Sequence, residues 1–266
     1  EGPAEAPVAA GGGLTPATLI GAYRAGAFPW PVSDPDEAAM LRRALGAAVR
    51  GGIIPLLPAE AGGNGAGKDE AAGNAGHDEL DPPWWCPDPR AVIPSDGVRV
   101  SRSLAQRLRR TTWTTTLDEC FETVVRSCRR EEPHQWITPE LIQGYVELHE
   151  RNWAHSLEVW DGDELVGGLY GVLVGRVFVG ESMFHRRTDA SKVALVDFAD
   201  RFHRAGGVLI DCQLSTPHMA SLGAREIPRS RFLDLLWRFR DDEIRMVRDR
   251  LPASRLAPPR GRPGRG

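Results

Sequence analysis

Two hydrophobic periods divide the second half of this chain. From Ser156 to Phe184 apolar and polar positions alternate with a period of two. Turn residues at Asp161-Gly162-Asp163 and Gly175-Arg176 split the stretch into strands over Ser156–Trp160, Leu165–Val174 and Val177–Phe184. This predicts a three-stranded antiparallel meander. Between Asp189 and Ala205 the period changes to that of a helix, with Asp189 at the capping position, and Val208–Ile210 reads as a further strand. The predicted order is β-β-β-α-β.

Upstream, Thr15 and Pro16 open a helix that Gly26 stops, delivering Phe28-Pro29-Trp30. A helix is expected at Glu37 to Gly51, followed over residues 58–81 by a Gly-, Ala- and acid-rich insertion with the composition of a disordered loop. Order resumes at Pro82, where four prolines up to Pro89 impose extended geometry around Trp84 and Trp85. A strand is expected at Val98–Val100, a helix capped by Ser101, a strand at Trp113–Thr116, a helix at Leu117–Cys128, and another from Thr138-Pro139 to about Glu150. The elements predict an α+β protein: a small N-terminal domain over 1–88, an acetyltransferase-like α/β domain over 89–240 with a mostly antiparallel central sheet, and a disordered basic tail over 241–266.

Composition narrows the class. At 266 residues with 41% hydrophobic and 26% charged residues, the chain reads as a soluble globular protein. No apolar run approaches a membrane span of about 18 residues, and the start Glu1–Pro7 lacks the basic and apolar regions of a secretory signal, so a cytoplasmic location is expected. Cys86, Cys120, Cys128 and Cys212 form no Cys-x-x-Cys pair, so neither a metal site nor a disulfide framework is expected. The net charge of −3 hides an uneven distribution: residues 1–88 carry 12 acidic and 5 basic side chains, which leaves 24 acidic and 28 basic in the remainder. Arg99, Arg102, Arg107, Arg109 and Arg110 cluster there and suit either phosphate contacts or a solvated helix face.

Three stretches carry candidate chemistry. If Ile210-Asp211-Cys212-Gln213 continues its strand, a period of two sets Asp211 beside Gln213, a carboxylate and a carboxamide able to position an amine. The same residues also suit a strand end that satisfies neighbouring amides. Glu181, set in apolar surroundings next to Gly180, must pair with a cation or protonate. Its partner is either a basic ligand or one of Arg186, Arg187 and Lys192, and the adjacent glycine marks a bulge or close approach. On helix 189–205, Leu195, Phe198 and Phe202 form a stripe that serves a core or, with Leu169, Phe178 and Met183, an apolar pocket. Trp30 and Trp136, at turn-like positions, suit base stacking or a domain interface, and Trp84 and Trp85 the latter. His155 and His218 have no companion at catalytic spacing, and no Gly-rich phosphate loop for ATP hydrolysis is present.

The runs Ala22–Trp30, Trp84–Arg90, Ser101–Ser103, Trp136–Thr138, Ala154–Ser156 with Glu158–Trp160, Leu165–Gly171, Gly180–Phe184, Ala190–Lys192, Asp211–Gln213 and Ser221–Ala224 stand in one order along the chain. Through them, from about Leu14 to Leu236 apart from the insertion, the chain resembles the bacterial leucyl/phenylalanyl-tRNA-protein transferases. The resemblance implies transfer of Leu, Phe or sometimes Met from aminoacyl-tRNA to an N-terminal Arg or Lys of acceptor proteins, marking them for degradation, with no cofactor and no metal. It implies Asp211 and Gln213 as the catalytic pair and Glu181 as the acidic residue for the acceptor. Leu169, Phe178, Met183, Leu195, Phe198 and Phe202 become the aminoacyl pocket, with Trp30 and Trp136 beside the terminal adenosine. The chain departs from the family pattern at Gly11-Gly12-Gly13-Leu14, where an Asp is usual, and in the insertion between Trp30 and Trp84. Two other readings compete: an acyl-CoA-dependent N-acyltransferase, which the fold permits but no pyrophosphate loop supports, and a noncatalytic protein that binds aminoacyl-tRNA or degradation signals.

Overall fold

The computed structural model describes residues 6–32, 34–58, 79–129 and 136–259. Its N-terminal part is a small sheet of β1 (Pro7–Gly11), β2 (Phe28–Pro29), β3 (Leu56–Leu57) and β4 (Pro83–Trp85), in the order β2-β4-β1-β3. Helix α1 (Pro16–Arg24) begins where the sequence places it, with the Thr15 hydroxyl accepting from Thr18 N–H. Helix α2 (Pro35–Arg50) occupies the expected position within the insertion and is capped by Asp34, whose carboxylate accepts from the N–H groups of Asp36 and Glu37. Most of the expected loop, residues 59–78, lies outside the described residues.

The larger sheet has the order β11-β5-β10-β9-β8-β7-β6-β12, built from β5 (Arg90–Pro94), β6 (Thr114–Leu117), β7 (Ala154–Asp161), β8 (Glu164–Val174), β9 (Val177–His185), β10 (Leu209–Gln213), β11 (Arg225–Ile227) and β12 (Leu251–Pro252). The meander β7-β8-β9 is antiparallel. After α6 (Ala190–Arg204) the chain returns as β10, parallel to β9, while the other neighbouring strands pair antiparallel. The expected β-β-β-α-β order is therefore present.

Period-two alternation sends side chains to two cores. Leu157, Leu169 and Phe178 join Leu195, Phe198 and Phe202 of α6 on one face. On the other, Tyr170, Val172 and Val179 pack with α4 (Phe121–Ser127) and α5 (Pro139–Glu150), and this cluster also takes in Tyr23, Phe28 and Trp84 of the N-terminal part and Phe232 of α8 (Arg229–Phe239). Helices α3 (Arg102–Leu108) and α7 (Pro217–Ser221) complete the fold.

Several expectations shift. Helix α4 starts only at Phe121, because Leu117 still pairs with Leu157 and Asp118 turns the chain at φ 64°. Val98–Val100 forms no strand; Arg99 N–H donates instead to Leu222 O. Asp189 adopts a left-handed conformation and caps no amide, its carboxylate accepting from Arg107 and Lys192. Residues 241–259, expected as disordered tail, return to the sheet: β12 pairs with the edge of β6, Ala253 is fully buried, and Arg255 pairs with the buried Asp197.

Candidate active site

Backbone pairing between β9 and β10 ends at Val179–Asp211, and a cavity of about 910 Å³ lies beyond that point. Both strands carry a bulge there. On β9 the register slips between Tyr170–Ser182 and Gly171–Gly180, so Glu181 is the extra residue beside the glycine that announced it. On β10 the slip falls between Asp211 and Gln213, leaving Cys212 as the extra residue. Two polar side chains are re-aimed toward one space.

The bulge corrects the simple strand picture of Asp211 and Gln213. Asp211 is fully buried: Oδ1 accepts from Arg90 Nε at 2.9 Å and from Gln213 N–H at 2.9 Å, and Oδ2 accepts from Arg90 Nη2 at 2.6 Å. Gln213 sits at φ 62°, outside the strand region, and its Nε2 donates to Glu181 Oε1 at 2.9 Å. No partner for Gln213 Oε1 exists among the described residues, so the carboxamide oxygen is the acceptor offered to a ligand.

Glu181 pairs with none of the three cations weighed from the sequence. Arg186 donates to Leu165 O and Ser127, Arg187 binds Asp161 and Glu164, and Lys192 binds Asp189. Instead Tyr145 OH donates to Glu181 Oε2 at 2.8 Å, and Tyr23 OH lies 2.9 Å from Tyr145 OH. Burial pushes the Glu181 carboxyl up to about 7, against the opposing effect of the tyrosine hydroxyls and with a further upward push from Asp211. A carboxyl poised there changes charge near neutral pH.

Leu169, Phe178, Met183 and Leu195 line the cavity. Phe198 and Phe202 do not. They stack behind Phe178, with ring centroids 3.9 Å and 6.3 Å from it, and buttress the wall rather than forming it. Trp30 and Trp136 both reach the cavity, Trp30 at its mouth, 38% exposed and edge-on to Trp85 at 6.1 Å. Trp84 is a buried plug whose Nε1 donates to Gly11 O, whereas Trp85 lines the cavity, contrary to expectation. Of the arginine cluster, Arg107 is engaged by Asp189 and Arg109 donates to Pro258 O, while Arg99, Arg102 and Arg110 are exposed. His218 lines the cavity, and His155 is held by Asp118.

Sequence reasoning missed Arg90, Tyr23, Tyr145, Tyr170 and Trp85. Tyr145 lies at helical spacing with Leu141 and Leu148 and reads as core; Arg90, Tyr23, Tyr170 and Trp85 all fall in matched runs, and that was the one detectable signal. Cys212 faces the cavity, but burial pushes its thiol up and away from thiolate chemistry.

The cavity thus sets an apolar wall beside a carboxamide–carboxylate pair. Residues 92–237 match the leucyl/phenylalanyl-tRNA protein transferase family. Leucyl/phenylalanyl-tRNA–protein transferases of Proteus mirabilis (strain HI4320) and Chromohalobacter salexigens (strain ATCC BAA-138) are 40% and 44% identical to this chain, over 88% and 86% of it and 82% and 73% of their own lengths. Among solved structures, a GCN5-related N-acetyltransferase from Kribbella flavida is similar at 11% identity and a TM-score of 0.35, covering 52% of this chain and 54% of that one. The chain belongs to the leucyl/phenylalanyl-tRNA–protein transferase family of enzymes.

Proposed function

We propose that the chain moves Leu, Phe or Met from aminoacyl-tRNA to the N-terminal Arg or Lys of acceptor proteins in the cytoplasm, marking them for proteolysis. The observation that carries this reading is the continuity of one cavity from an apolar wall, Leu169, Phe178, Met183 and Leu195, to Gln213 and Glu181. Trp30 and Trp136 supply aromatic faces for the terminal adenosine, and exposed Arg99, Arg102 and Arg110 suit the tRNA phosphates. The small N-terminal part contributes Trp30 and Trp85 to the cavity beside the larger sheet, which β12 completes.

The chemistry asks little of the protein. The aminoacyl ester is already activated, and an α-amine with a pKa of about 7.7–8.0 is about a tenth or more neutral at pH 7. The amine nitrogen bonds the ester carbonyl carbon, the carbon–oxygen bond to the ribose breaks, and the proton leaving nitrogen ends on the ribose oxygen. Gln213 Oε1 accepts an amine N–H and directs the lone pair toward the carbonyl carbon. Asp211 serves the same pair by holding the Gln213 backbone N–H. Glu181 offers negative charge to the basic acceptor residue.

Incubating the chain with radiolabelled Leu-tRNA and an Arg-starting peptide tests the reading, with acetyl-CoA and a thiol-release assay as the control for the acyl-CoA alternative. Labelled peptide is expected, and Asp211→Ala should lower turnover far more than it weakens aminoacyl-tRNA binding. Turnover equal to the parent's would overturn the site assignment.

A further inference from the structure

Arg90 is 1% exposed, and its guanidinium lies between two aromatic rings, with its central carbon 4.9 Å from the Phe28 centroid and 4.5 Å from that of Phe232. Its Nε and Nη2 donate to the two Asp211 oxygens as a bidentate pair, while the buried Nη1 has no hydrogen-bond partner among the described residues. As a stability device this is a poor arrangement. Two desolvated charges roughly cancel their own attraction, and a buried unpaired N–H adds a cost. Its geometric effect is specific. The fork fixes the plane of the Asp211 carboxylate, so that Oδ1 also receives Gln213 N–H, and this bond holds Gln213 at φ 62°, where a non-glycine residue persists only under constraint. That conformation in turn sends Nε2 of Gln213 to Glu181.

We propose that Arg90 is a positioning residue for amino-acid transfer: its clamp on Asp211 locks the bulged end of β10 and thereby aims the Gln213 carboxamide into the cavity. The inference rests on the functional reading above. The sandwich adds a second tie, because Phe28 comes from β2, two residues before Trp30 at the cavity mouth, and Phe232 from α8. A lysine cannot reproduce the clamp, since one ammonium neither makes two parallel bonds to a carboxylate nor lies flat between two rings.

The test measures leucine transfer to an Arg-starting peptide by the parent, Arg90→Lys, Arg90→Ala, Asp211→Asn and Arg90→Lys/Asp211→Asn. Arg90→Lys is expected to lower kcat by about tenfold or more while KM for aminoacyl-tRNA stays within about twofold. Guanidinium ion, and not ammonium, should restore part of the activity of Arg90→Ala. Because Arg90 acts through Asp211, the double variant should be no slower than Asp211→Asn alone. If melting shows that Arg90→Lys does not fold, Phe232→Leu carries the test: it leaves the ion pair in place, opens one side of the sandwich, and should lower kcat with KM unchanged. A folded Arg90→Lys with the parent's kcat, or a double variant whose losses add, overturns the assignment while leaving the function intact. A parent that binds aminoacyl-tRNA without transferring leucine overturns the functional reading itself, and with it the role given to Arg90.

Discussion

The carboxamide of Gln213 donates to Glu181 across 2.9 Å, and this bond joins two bulges that backbone pairing has ceased to connect. It commits the NH₂ end of the amide and leaves the oxygen free to accept, which is the role the proposed function gives it toward an incoming amine. Gln213→Glu conserves the shape and sets a second carboxylate against Glu181, where like charges resist sharing a site. Single-turnover rates should fall on the order of a hundredfold, with aminoacyl-tRNA affinity within about threefold. An unchanged rate would remove Gln213 from the chemistry.

Glu181 gives the site a pH signature. Its carboxyl is raised to about 7, so it is largely neutral at pH 6 and largely anionic at pH 8. Affinity for a basic acceptor peptide, measured without aminoacyl-tRNA so that chemistry does not intervene, should rise across that interval. Glu181→Gln should flatten the curve. A parent whose acceptor affinity ignores pH from 6 to 8 would contradict the recognition role.

Leu195 and Phe198 lie on the same helix but do different work, one lining the cavity and the other packed behind Phe178. Leu195→Ala enlarges the pocket and should raise the Phe-to-Leu ratio of kcat/KM by several-fold. Phe198→Ala removes a fully buried ring and should cost about 3–5 kcal/mol in chemical denaturation. Equal effects of the two variants on selectivity would show that Phe198 belongs to the pocket.

Glu158 is fully buried, accepting from Thr116 OH at 2.6 Å, from Ser156 OH, and more weakly from Glu119 N–H, with Asp118 close by and no cation bonded to it among the described residues. Burial raises its carboxyl to about 7, with the hydrogen bonds opposing and Asp118 reinforcing the shift. Between an unfolded value of about 4.5 and that folded value, the native state holds the extra proton. Stability from this group is therefore full below about pH 4.5 and declines as pH rises toward 7, by on the order of 2–3 kcal/mol. Urea denaturation at pH 5 and pH 8 should show Glu158→Gln losing less stability over that interval than the parent. Glu181 contributes in the same direction and remains in both proteins.

Much of this architecture was legible along the chain. The meander, the crossover helix and the capped α1 announced themselves through local periodicity, capping residues and turn chemistry, which act between neighbours in sequence. The boundary of α4 was not legible, because the pairing of Leu117 with Leu157 extends β6 and Asp118 turns the chain before the helix begins. Nor was the course of residues 241–259, which polar and basic composition marked as tail. Their order comes from an open edge on β6 and the buried Asp197 that meets Arg255.

The sequence by itself singled out Asp211, Gln213 and Glu181 as polar groups interrupting apolar strands, and the matched runs supplied the family. Only the tertiary structure decided what each of them touches. Two bulges broke the period-two rule at the residues that matter, and the partners that orient them, Arg90, Tyr145 and Tyr23, come from β5, α5 and α1. Periodicity reports which face a residue shares with its neighbours; the orientation of a buried carboxylate depends on donors brought by other elements, 121 residues away in the case of Arg90 and Asp211.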